Sequence, residues 1–80
     1  MIAITDNRIS SAALSVLRNE GFEPILLPAA TYLQSGVASH TDMLIFFGFG
    51  KLFCHEKYYA DNRQVIDHIA SLSSSEVCVS

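Results

Sequence analysis

Tryptophan is absent from this 80-residue chain, and cysteine and proline occur only twice each. Cys54 and Cys78 make no disulfide framework and show no Cys-x-x-Cys spacing for zinc. Met1 to Asp6 lacks the basic start and cleavage site of a signal peptide, so both cysteines read as free thiols of a reducing, cytoplasmic compartment. Basic residues number five and are scattered: Arg8, Arg18, Lys51, Lys57 and Arg63. A nucleic-acid surface gathers its cations on one face, so no nucleic-acid partner is expected. No apolar run approaches the ~20 residues that cross a membrane, so no membrane partner is expected either. Charged residues make up 16% of the chain, while 50% is hydrophobic. A domain this small buries only ~60% of its unfolded surface and is marginal alone. So apolar a composition implies self-association, or cover from sequence that lies beyond the chain.

The apolar pattern predicts one small α/β domain over residues 1–80, or the N-terminal fragment of a larger protein. Ile2–Thr5 is a short unbroken apolar run, the pattern of a buried strand. Ile9, Ala12, Ala13, Val16 and Leu17 then recur at the spacing of one helical face, predicting a helix over 10–20. Ser10 is placed to cap it, Ile9 and Leu14 to staple across the cap, and Gly21 to stop it. Residues 24–27 form a second strand, parallel to the first through a right-handed crossover. Ala29 to Gln34 could add one helical turn. Residues 43–47 and 52–54 read as a hairpin around Gly48–Lys51. Val65, Ile66, Ile69 and Ala70 mark a last helix from about Tyr59 to Leu72. Glu76–Val79 begins another strand and the sequence then stops, which suggests a fragment.

Two polar pairs carry the candidate chemistry. His40 and Asp42 stand two apart at the start of the third strand. In extended backbone they face one side, ~6–7 Å apart by strand rise. That arrangement suits a general acid/base imidazole beside a carboxylate gripping a cationic group. The plainer alternative is that Asp42 caps backbone N–H groups. Asp6 and Arg8 follow the first strand, where parallel sheets place ligand-binding groups; the alternative is a local ion pair ordering the turn. Gly48-Phe49-Gly50 opens like a nucleotide loop, but Phe53 occupies the third glycine's place and a strand follows. His55 and His68 lack partner spacing for a metal, so neither a metal nor a cofactor is expected. Tyr58 and Tyr59 read as the start of the last helix, packing on the hairpin.

His40-Thr41-Asp42-Met43, followed by an apolar strand with Phe46 and Phe47, resembles the Gly-His-x-Asp segment of the guanidino-group-modifying (pentein) enzymes, deiminases and amidinohydrolases such as agmatine deiminase. Ser39 stands where those enzymes usually have Gly. The order Asp6-Asn7-Arg8-Ile9-Ser10, Gly21, His40-Thr41-Asp42-Met43 and Tyr58 or Tyr59 is similar, over residues 1–70, to an uncharacterised bacterial family assigned to the same fold. Thr41 replaces that family's usual Pro. The resemblance implies one module of a pentein-like α/β propeller with His40 as general acid/base. Asp42 would then bind a guanidinium, Asp6 would face the central cavity, and a small guanidino compound would be the substrate of a full-length parent.

Penteins use a nucleophilic Cys in a glycine-rich loop near the C-terminus. Cys54 and Cys78 have no such loop and read as structural thiols. The 80 residues alone are therefore expected to be inactive, as part of a guanidine-directed hydrolase. The rival expectation is a non-enzymatic βαβ module that oligomerises or binds a partner.

Overall fold

A computed structural model describes residues 1–28 and 41–80. Along the chain lie β1 (Ile2–Thr5), α1 (Ser11–Asn19), β2 (Glu23–Leu26), β3 (Met43–Gly48), β4 (Lys51–Cys54), α2 (Glu56–Leu72) and β5 (Glu76–Val79). The predicted single turn at 29–34 and the residue His40 lie outside the described residues.

The first unit forms as its sequence dictates. Ser10 caps α1 by accepting a hydrogen bond from Ala13 N at 3.2 Å. Ile9 and Leu14, either side of that cap, join the same apolar core. At the other end Gly21 takes φ +90°. Gly21 N donates to Arg18 O at 3.1 Å and Phe22 N to Leu17 O at 2.9 Å. This is a Schellman stop with its apolar contact, since Leu17 and Phe22 share the core. β2 returns parallel to β1, pairing Ile2 with Glu23 through Thr5 with Leu26.

β3 pairs parallel with β1 through Ala3–Met43 and Ile4–Leu44. It then turns back into β4, with Gly48 opposite Lys51. Phe49 at φ 55° and Gly50 at φ 71° form the two-residue link. Positive φ at both central residues is the turn whose twist matches a hairpin. β4 begins one residue earlier than the apolar run suggested.

α2 begins at Glu56 rather than Tyr59. The physical reason is an unexpected cap: His55 Nδ1 accepts from Lys57 N at 3.1 Å. Within α2, Asn62 leaves helical geometry at φ −132°, ψ 28°. Its side-chain amide donates to Tyr58 O at 3.0 Å, one turn back. The helix ends in a second Schellman stop, with Ser74 at φ 51° in the position glycine usually holds. Ser75 N then donates to Ala70 O at 2.9 Å.

β5 pairs parallel with β4, from Lys51–Glu76 to Cys54–Val79. The result is one mixed sheet of five strands in the order β2-β1-β3-β4-β5. Both helices pack on one face, over a core that includes Ala3, Leu17, Met43, Ile45, Leu52, Ile66 and Ile69. Strand alternation turns Ile2, Ile4, Leu44, Phe46, Phe53 and Cys78 to the other face. There the Phe46 and Phe53 rings stack, with centroids 5.7 Å apart. Among the described residues, no helix is long and apolar enough to cross a membrane.

Candidate functional site

Asp6 follows β1 directly and is only 3% exposed. Its backbone carbonyl receives Ile9 N at 3.3 Å, starting the turn into α1. Its carboxylate is occupied on three sides. Oδ1 accepts from Arg8 N at 3.1 Å. Oδ2 accepts from the Arg8 guanidinium at 2.9 Å and from Phe47 N at 3.0 Å. Phe47 lies beyond the last β1–β3 pair, so the carboxylate extends that ladder by one rung. Arg8 is more than half exposed, and its guanidinium lies over Gly48: a Cβ there would sit 3.0 Å from Arg8 Nη1. A side chain at Gly48 would have to push the exposed, flexible Arg8 guanidinium aside by a few tenths of an ångström. The structure brings Asp6 and Arg8 together, and the pairing orders a turn and joins two strands.

Asp42 occupies the opposite end of the same strands. Its Oδ2 accepts from Ile2 N at 2.7 Å, and its own N–H donates to Ile2 O at 2.9 Å. Asp6 lies four residues of extended chain from Ile2, so the two carboxylates stand ~13 Å apart. They share no pocket. Asp42 stays exposed, but its carboxylate does the work of the plainer alternative, tying β1 to β3 through backbone N–H. Asn62 stands near the same corner, its amide 3.5 Å from Asp42 O.

The thiols are poorly placed for nucleophilic chemistry. Cys54 is 3% exposed beneath α2. Burial, with added repulsion from Asp67 and Cys78, pushes its thiol above the ordinary range, which suppresses the reactive thiolate. Cys54 faces the helices and Cys78, in register with Phe53, faces the other side, so the two cannot bridge. Among the described residues, no group of three His, Cys, Asp or Glu side chains could hold a metal ion. One cleft of about 390 Å³ lies between Met1, Glu20, Phe22 and the Asn62 bend. Another of about 400 Å³ lies between Glu56, Tyr59, Arg63, Val79 and Ser80. Neither is lined by Asp6, Arg8 or Asp42.

Sequence reasoning passed over two residues that the structure puts to use, and one buried hydroxyl. His55 caps α2, and the nearest sequence signal was the acidic Glu56 just after it, which suits a helix start. Asn62 bends α2 with no local sign in the apolar periodicity. Thr5 is fully buried and its hydroxyl has no hydrogen-bond partner among the described residues; nothing in the structure explains it. No family model matches the chain, and no curated protein or solved structure matches it.

Proposed function

We propose that the chain is a self-associating α/β module whose partner is a second copy of itself. The observation that carries this reading is apolar surface on the two flanks of the sheet. Ile25 and Leu26, on β2, are 37% and 40% exposed; Val79, on β5, is 43% exposed. Leu72 ends the helix that leads into β5 and is also exposed. A domain with this many apolar side chains at its sheet margins loses water-exposed hydrocarbon by pairing. The candidate polar groups support the same direction, because the carboxylates of Asp6 and Asp42 both hold backbone N–H groups. The guanidine-hydrolase expectation needs His40 and Asp42 on one substrate cavity. Asp42's carboxylate is taken up by Ile2 N, and Asp42 lines neither cleft, so that reading gains no support.

Sedimentation equilibrium of the whole chain from micromolar to millimolar concentration tests the proposal. The expected result is a reversible, concentration-dependent dimer. A monomer across that range defeats it.

A further inference from the structure

The geometry points to one interface for this association: antiparallel pairing of β5 with β5 of the second copy, with Cys78 facing Cys78 across the two-fold axis. The inference rests on the self-association reading and specifies its surface.

A sheet edge recruits a strand only where backbone groups point outward unpaired. On β2, Glu23 N donates to Met1 O and Leu27 N to Thr5 O, so the intervening outward positions are Pro24 and Leu26. Pro24 has no N–H, which blocks that edge. On β5, Glu76 N donates to Gly50 O and Ser80 N to Cys54 O. The alternation turns Val77 and Val79 outward. Both are β-branched and neither is proline; the Val77 side chain packs on the core, so what this edge offers is its outward backbone N–H and C=O groups. Among the described residues, the sheet has one guarded edge and one open one.

The open edge is also self-complementary. Val77-Cys78-Val79 reads the same in both directions. In an antiparallel pair, outward residues exchange both backbone bonds with outward residues of the partner. The register that uses both valines of both copies sets Val77 against Val79 and Val79 against Val77. Glu76 then meets Ser80 rather than another Glu76, so no side-chain charge repulsion opposes the register. The cleft beside Val79 offers the incoming copy a concave flank formed by Glu56, Tyr59 and Arg63. Cys78 falls on the axis as a non-hydrogen-bonded pair, with Cα atoms ~4.5 Å apart. That separation lies within the disulfide range. Both thiols emerge on the Phe46–Phe53 side of the joined sheet, while Cys54 stays under the helices.

Crosslinking the whole chain tests this. Diamide, an azodicarboxamide, takes two electrons and two protons from two thiols; a disulfide forms and the diazene is reduced to a hydrazine. The expected product is a covalent dimer on a non-reducing gel, with mass spectrometry of its peptides locating the bond at Cys78–Cys78. Cys78→Ser should abolish it and Cys54→Ala should not. Val79→Pro removes an outward N–H and leaves the β4 ladder intact. It should weaken sedimentation dimers at least ~10-fold and suppress the crosslink. If circular dichroism shows that variant unfolded, Val79→Lys takes its place with the same expectation. A reversible dimer that forms no Cys78 bond, or that ignores Val79→Pro or Val79→Lys, overturns the β5 interface and leaves self-association standing. A monomer at every concentration overturns both.

Discussion

Replacing Asp6 by alanine should be among the most damaging single changes at the polar positions of this chain. The substitution leaves Phe47 N without an acceptor at a buried position, a loss of ~1–3 kcal/mol. It also removes the acceptor of Arg8 N at the turn into α1, by analogy with a lost helix cap ~0.5–2 kcal/mol. The ion pair itself adds little. Arg8 is 56% exposed, and solvent screening holds such a pair to ~0–1 kcal/mol. The expected total is about 2–4 kcal/mol, most of it from backbone N–H groups rather than charge. Arg8→Ala, which removes only the screened pair, should therefore cost no more than ~1 kcal/mol. Asp42→Ala, at an exposed site with one backbone bond, belongs between them at ~0.5–2 kcal/mol. Urea titrations with linear extrapolation measure all three, and an unchanged slope keeps the comparison sound. If Arg8→Ala proves as costly as Asp6→Ala, the charge dominates and the backbone argument is wrong. A loss below ~1 kcal/mol for Asp6→Ala refutes it equally.

Other substitutions probe the remaining local devices. His55→Ala should lower stability by ~0.5–2 kcal/mol by removing the α2 cap, whereas His55→Asp should preserve it, as thermal melts will show. Phe49→Asn should raise the melting temperature, because Asn-Gly suits two positive-φ residues and Phe49, 97% exposed, has no packing to lose. Thr5→Val should be neutral or stabilising by up to ~1 kcal/mol, since it removes a buried hydroxyl without a partner among the described residues; a clear loss in urea titration would reveal a partner for that hydroxyl. Because burial raises the Cys54 thiol, the folded chain holds that proton more tightly than the unfolded one. Its contribution to stability is full below the ordinary thiol range and declines as pH climbs from there through the raised folded value. Cys54→Ala should flatten that alkaline decline in pH-dependent melts.

Much of the fold was legible because local chemistry and tertiary packing agree. Ser10, Ile9, Leu14 and Gly21 each fill the role their residue type favours, and α1 falls within one residue of its expected bounds. The β3–β4 hairpin is similarly written in two unbroken apolar runs around two glycines. α2 started early because histidine seldom serves as a cap, so the helix signal was sought among the apolar residues farther on. The site was harder. His-x-Asp spacing places two side chains on one side of a strand, but it does not show whether a neighbouring strand offers an N–H. Ile2, far off in sequence, supplies that N–H to Asp42. Phe47 does the same for Asp6. Long-range pairing decides whether such carboxylates are free, and residue spacing contains no record of it.

The bend at Asn62 bears on motion. It divides α2 into a first segment anchored by Tyr58 and a second anchored by Ile66, Ile69 and Ala70. A helix interrupted in this way opens in pieces. Amides around 57–62 should exchange with solvent through local fraying, and those around 66–70 only when the whole core comes apart. The first segment also holds the residue just after β5, through Glu56 N and Ser80 O at 2.8 Å. Each time that segment frays, β5 loses its terminal tether. The edge strand and the start of α2 should therefore open together, as one cooperative unit less stable than the sheet behind it.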